Sequence, residues 1–368
     1  MLTALGVAVL IFMSNDGCGD RPQDFRVTAI MLGVGFLAAL AVSIFVKKGD
    51  MTQKLRYTLR VGIRLFLAYT FMTYGAAKVL DVQFPYSLMT LDSRIIELRP
   101  MQMAWVFFSY TYTYQAIIGW SQIAAAVLLC SRRTTPIGSI LLLTVIGNIV
   151  MVNVFYDICV KLNSTIYLVM TLYLLLTDFK RLWAFFLANR TVAPRRYPIL
   201  SQSQTLYRAG TVLRALLILF VLIYPVYDTV QAREEYGIGE HGPLYGVWTV
   251  DQADLILAPP DTLVSPSDTL TAVPLAEPEA WGRRWEKLIF DTANVGVGKS
   301  EGGIDFFRYE VDSIRQQVSM TFFQDSTLNF TGSYAYPADD RLMLTGVNEQ
   351  DSVEVALGLL PEFFRERR

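Results

Sequence analysis

The sequence predicts an α-helical membrane bundle of about seven spans, followed by a small antiparallel β-barrel or curved sheet outside the membrane. Three observations carry this. Of 368 residues, 53% are hydrophobic and only 18% charged, below the roughly 25% charged of a soluble domain. Over the first 230 positions the apolar residues form long runs broken by basic loops. From about residue 231 the chain turns polar, and short segments alternate at strand spacing. The expected division is a membrane domain over 1–230, a connector over 231–283 and a β-domain over 284–368.

A membrane span needs about 20 apolar residues. Runs at 26–46, 60–79, 104–129, 136–156, 160–177 and 211–228 meet that need. A shorter run, "MLTALGVAVLIFM" at 1–13, lacks the basic start and small-residue cleavage site of a signal peptide. It reads as a short first helix.

Basic residues orient the spans. Lys47, Lys48, Lys54, Arg56 and Arg60 lie on one side, as do Arg132 and Arg133, and Lys180, Arg181, Arg190, Arg195, Arg196 and Arg208. The alternate segments hold only Arg21, Arg94, Arg99 and Lys161. The positive-inside rule then places the N-terminus in the cytoplasm and the polar C-terminal region outside. In a bacterium this is the cytoplasmic (inner) membrane with a periplasmic β-domain. "YTYTYQ", near Trp105, fits an outer aromatic belt.

The stretch "NVFYDICVKLNSTIYL" at 153–168 becomes a hairpin tip at the outer face, which spares Asp157 and Lys161 from mid-bilayer. In "RVGIRLFLAYTFMTYGAAKVLD", Arg60, Arg64, Leu67, Phe71, Tyr74 and Lys78 form one helical stripe. Snorkelling to lipid phosphates accounts for the two arginines. Lys78 lies at the depth of Asp157 and makes a natural ion pair with it. Gln122 and Asn148 read as helix-packing amides. The sharper reading is an outward-opening pocket lined by Lys78, Gln115, Asn153, Asp157 and Lys161 and walled by aromatics. It suits an amphipathic molecule with a polar head, such as a quinone or a lipid.

Other chemistries find little support. A net charge of −1 gives no basic field for nucleic acid. Cys18, Cys130 and Cys159 have no metal-like spacing and read as small apolar fillers, and His241 is the sole histidine. Haem, zinc and a histidine-based triad are disfavoured, and no metal site is expected. No cofactor motif is evident beyond the candidate bound quinone or lipid.

The segments "RVGIRLFLAYTFMTYGAAKVLD", "GWSQIAAAVLLCSRRTTPIGSILLL" and "NVFYDICVKLNSTIYLVMTLYLLLTDFKRL" resemble the DoxX/DoxD-like membrane family over about 56–190. A longer subgroup, with a soluble tail, looks closest. The resemblance implies a four-helix core. For some members it implies thiol or thiosulfate oxidation coupled to quinone. The wider group is similar to the membrane part of vitamin K-dependent carboxylases. Gly75, Lys78, Asn153, Asp157 and Lys161 are the positions carried over.

In the polar region "LYGVWTVDQ" supplies a first strand at about 244–252, and its Gly-x-Trp is similar to the first strand of lipocalin-type barrels. A Pro-, Ser- and Thr-rich stretch, "APPDTLVSPSDTLTAVPLAEPEAW", reads as a mobile loop. Six further strands follow, from "WEKLIFDT" to "SVEVALGLL". Trp248, Trp285, Phe307, Phe322 and Phe330 read as core. "GVGKSEGG" lacks the Walker spacing and reads as a turn. His241 reads as a surface residue.

Three functions fit. The first is an anchor or assembly subunit that presents the β-domain to a protein partner. The second is a quinone- or lipid-handling subunit of a membrane redox system, its electrons supplied from elsewhere. The third is a lipid-modifying enzyme of the carboxylase-like kind, against which stands the lack of histidine in the membrane part.

Overall fold

A computed structural model describes residues 20–45, 50–84, 87–192, 203–235, 241–250, 256–258, 285–291, 294–300, 303–348 and 352–360. The chain divides into two units. One holds Met1–Phe84 and Arg99–Arg233, the other Pro85–Leu98 and Glu234–Arg368.

The first unit is helical. Its first helices are α1 (Pro22–Phe45) and α2 (Asp50–Val79). The short α3 (Leu88–Leu91) follows and belongs to the second unit. Then come α4 (Pro100–Tyr110), α5 (Tyr112–Cys130), α6 (Thr135–Phe155), α7 (Lys161–Leu176), α8 (Phe179–Phe186) and α9 (Gln204–Glu235). Among the described residues three helices, α5, α6 and α9, are long and apolar enough to cross a membrane. The pair α7 and α8, bent by 64°, makes four if it counts as one span.

The expected seven spans are therefore not supported. The 104–129 run is split at Thr111, whose extended backbone separates α4 from α5. The 60–79 run forms most of α2, but Arg60, Arg64 and Lys78 lower its apolarity. The 1–13 segment lies outside the described residues.

Helix α2 buries its stripe within the unit. Leu67, Ala68 and Phe71 pack with Ala125, Leu129, Leu142, Ile146, Met170 and Leu174. Arg64 does not snorkel. It is buried, and its Nε and Nη2 donate to the carbonyls of Leu129 and Cys130 at 2.9 and 3.0 Å. Those carbonyls end α5, where orphan acceptors and the helix dipole both favour a cation.

The second unit is a closed eight-stranded antiparallel barrel. Its strands are β1 (Gly246–Val250), β2 (Ile256–Ala258), β3 (Lys287–Phe290), β4 (Val295–Ser300), β5 (Gly303–Asp312), β6 (Gln317–Phe322), β7 (Phe330–Ala338), β8 (Arg341–Asn348) and β9 (Ser352–Leu359). The order is β1-β3-β4-β5-β6-β7-β8-β9, and pairing of β1 with β9 closes it. Strand β2 adds to β9 as a ninth. Closure removes the exposed edge that an open sheet presents. Trp248, Trp285, Phe307, Phe322 and Phe330 all lie in the barrel core, each under 5% exposed.

Of the stretch expected to be a turn, "GVGKSEGG", Gly296–Ser300 lie in β4 and Gly303 begins β5, while 301–302 lie outside the described residues. The glycines of β4 answer to the core. A Cβ at Gly296 would lie 2.2 Å from the Phe307 ring, and one at Gly298 2.6 Å from the Trp285 indole nitrogen. Of the Pro-rich stretch at 258–281, Ala258 ends β2 and the rest lies outside the described residues.

The segment after Pro85, read from sequence as an outer loop, packs on the outside of the barrel. Leu88 is fully buried against Val247, Ile289 and Val297, the outward-facing residues of β1, β3 and β4. Such burial contributes about 1.5–3 kcal/mol. Asp92, its side chain 4% exposed, takes Lys287 at 2.6 Å and Lys299 at 2.8 Å. The Ser87 hydroxyl donates to Asp291 at 3.0 Å.

Candidate functional site

The site begins where α2 meets α5. A Cβ at Gly75 would stand 2.8 Å from the Gly119 carbonyl oxygen, and one at Gly119 2.8 Å from that of Gly75. The missing side chains let the backbones touch. Beyond the crossing, Gln115 Nε2 donates to the Lys78 carbonyl at 3.0 Å and to Asp81 Oδ1 at 3.1 Å. Tyr112 donates its hydroxyl to the Val79 carbonyl at 2.8 Å. The last turn of α2 is thereby fixed, with Lys78 turned inward and 4% exposed.

Lys78 borders a cavity of about 300 Å³ enclosed by α2, α4, α5, α6 and α7. Its Nζ donates to Gln83 Oε1 at 2.7 Å. It also lies 5.7 and 5.5 Å from the ring centroids of Tyr74 and Phe84, within cation–π range. Phe84 stacks on Phe108 at 5.0 Å and meets Trp105 edge-on at 5.1 Å. Phe71 and Tyr167 form another wall, 6.0 Å apart. The lining is thus largely aromatic and aliphatic, as in small-molecule sites.

Its polar atoms are few and incompletely satisfied. Gln122 is fully buried, and neither its Nε2 nor its Oε1 has a hydrogen-bond partner. The Asn163 Oδ1 is likewise buried without one. A buried polar atom left unpaired costs about 1–3 kcal/mol. Asn153, 5% exposed, also lines the cavity. The exposed lining residues are Tyr114 and Ile117 on α5 and Thr144 and Asn148 on α6. The mouth therefore opens sideways, between α5 and α6.

Of the residues expected to form a pocket, Lys78 and Asn153 line this cavity. Gln115, Asp157 and Lys161 are not among its lining residues. Gln115 instead braces the end of α2. Gln122 and Asn148, assigned from sequence to helix packing, both line it. Asn163, one of the polar residues of the 153–168 stretch, also lines it, whereas Gln83, Phe84 and Tyr167 do not stand out in the sequence. Helical spacing would have found Tyr167, but Gln83 lies beyond the end of α2.

The expected Lys78–Asp157 ion pair does not form. Asp157 sits in a turn with φ of 51° and points outward, its side chain 80% exposed. It pairs with Lys161 at 2.8 Å, one helical turn later. Lys161 also meets Asp20 at 3.3 Å. The Asp20 carboxylate accepts the backbone N–H groups of Lys161 and Leu162 at 3.0 Å each, capping α7.

Cys159 is not a simple filler, because it is disulfide-bonded. It sits between Ile158 and Val160, both in the cavity lining. Cys130 is a buried free thiol, and the remaining cysteine of the sequence, Cys18, lies outside the described residues. In the barrel unit His241 is exposed and stacks on Tyr245 at 4.0 Å. Among the described residues no group of His, Cys, Asp and Glu could hold a metal ion.

Fold and cavity together define a helical bundle, with helices long and apolar enough to cross a membrane and a largely apolar internal cavity, joined to a β-barrel. The chain belongs to the same family as the uncharacterized protein YwoB of Bacillus subtilis (strain 168), with 37% identity over 140 residues, 38% of this chain and 90% of that protein. No protein-family model and no solved structure matches the chain.

Proposed function

We propose that this protein binds one amphipathic, lipid-soluble molecule, taken sideways from the bilayer into the cavity beside Lys78. The observation that carries this is the Gln122 amide, buried in the cavity wall with donor and acceptor both unpaired. A polar lock between helices would pair such groups with each other. A ligand head explains why they are left open. The lateral mouth between α5 and α6 gives a lipophile a route that avoids water.

The proposed location is the bacterial cytoplasmic membrane. Helices α1, α2, α5, α6, α7 and α9 serve as the crossings, α1 carrying the chain from Asp20, beside Lys161 at the outer end of α7, to the start of α2. The basic residues of 54–60, 132–133 and 180–190 then fall on one side, the cytoplasmic one. The segment 87–98 emerges on the opposite side, as does the chain after α9. That agrees with the packing of 87–98 on the barrel. A disulfide at Cys159, on this outer side, fits an oxidising compartment. In this reading the Asp92 contacts tie the 87–98 segment to the barrel, and the barrel serves a protein partner on the outer side. The likeness to DoxX-like proteins is compatible with a quinone or a lipid as the ligand.

The test is organic extraction of gently purified protein followed by mass spectrometry, for wild type and for Val145→Phe, which fills the cavity. A stoichiometric small lipophile in wild type, lost in the filled variant, is the expected result. Equal bulk phospholipid in both would leave the anchor role alone.

A further inference from the structure

The residues around Lys78 go further and select a charge for the ligand head. Resting on the binding reading above, we propose that the head is an anion of the carboxylate class, on a single-tailed amphiphile, with Lys78 as its counter-ion.

Burying an ammonium costs several kcal/mol unless it is paired. Lys78 is 4% exposed, and its partners are one neutral amide oxygen, from Gln83, and two ring faces. Among the described residues no carboxylate lines the cavity. Asp81, three residues on, accepts from Gln115. Asp157, the nearest acid expected from sequence, pairs with Lys161. Among the described residues the site thus sets a buried lysine against no carboxylate.

The remaining donors agree. A lysine ammonium has three N–H groups, and one is used by Gln83. Gln122 Nε2 adds donors that meet no protein acceptor. A carboxylate presents two oxygens able to take both, with charge-assisted bonds to the lysine. The orphan acceptors Gln122 Oε1 and Asn163 Oδ1 are then met by a hydroxyl on the same head or by bridging water. A volume of about 300 Å³ lies at the small end of ligand pockets. It suits one ring or chain, with the tail leaving through the mouth between α5 and α6.

The test uses the full chain in detergent micelles and two probes differing only in charge, cis-parinaric acid and its methyl ester. Energy transfer from the tryptophans, among them Trp105 in the lining, reports binding. The acid is expected to bind at least tenfold more tightly than the ester. Lys78→Met should bring the acid to the level of the ester and leave the ester within twofold. Val145→Phe should abolish both. Acid and ester binding alike in wild type, both lost in Val145→Phe, would overturn the anionic head and leave the binding reading standing. Signal from neither probe that Val145→Phe removes would overturn both. The wild-type comparison needs no variant, so a Lys78→Met protein that fails to fold does not protect the proposal.

Discussion

Gln122 shows what an unpaired buried amide costs at a single residue. Its amide lies fully buried with no partner, so the ligand-free protein carries an unmet desolvation penalty of about 1–3 kcal/mol. Gln122→Leu should therefore raise the stability of ligand-free protein by about that amount, read as a higher thermal midpoint in detergent, while the copurifying lipophile is lost. Asp92 is the opposite case, a buried carboxylate whose charge is met by two lysines. Asp92→Ala should destabilise the barrel by about 1–3 kcal/mol, as expected for charge-assisted hydrogen bonds whose lysines keep some access to water. Denaturant unfolding followed by tryptophan fluorescence would measure it. Lys78 and Asn153 were legible in the sequence because a polar residue in an apolar run stands out. Whether an amide faces a helix or a cavity does not show in periodicity. Gln122 and Asn148 therefore stood out as polar residues in apolar runs, but not as residues lining a cavity.

Elements were legible where period and composition agreed, as in α6 and the meander of β5 to β9. They failed where tertiary packing overrode local signals. Strand β4 has glycines because the Phe307 and Trp285 side chains occupy the space of its Cβ atoms. Gly298→Ala should cost about 1–3 kcal/mol by overpacking that core, visible as a lower denaturation midpoint. The α2–α5 crossing follows the same logic. Gly119→Val should separate the helices and remove ligand binding even where the protein still folds. The barrel also has a titratable element. Burial first, and then the Asp291 charge, push the Tyr309 phenol up to about 12. Its hydroxyl donates to the Asp291 carbonyl at 2.7 Å. A raised pKa means the folded state holds the proton more tightly. This contribution is intact below pH 10 and is lost as pH rises towards 12. Tyr309→Phe should lower stability at neutral pH and flatten the fall between pH 10 and 12 in unfolding measured by circular dichroism.

At the scale of the molecule, the two-part organisation was legible because hydropathy changes abruptly near residue 231. The membership of 85–98 in the barrel unit was not, since nothing local marks a loop that will pack on a domain some 150 residues further along the chain. That packing, with the distribution of basic residues, gives the proposed orientation a direct check. In intact cells a membrane-impermeant maleimide should label Arg315→Cys, on the β5–β6 turn, and should reach Arg133→Cys only after lysis. The central claim is that the cavity beside Lys78 is a binding site for one lipophile. Native mass spectrometry of the intact protein, released from its micelle, tests it most directly. The account predicts one small adduct per chain in wild type and none in Lys78→Met or Val145→Phe. A wild-type spectrum free of any such adduct, or one unchanged by both substitutions, would contradict it.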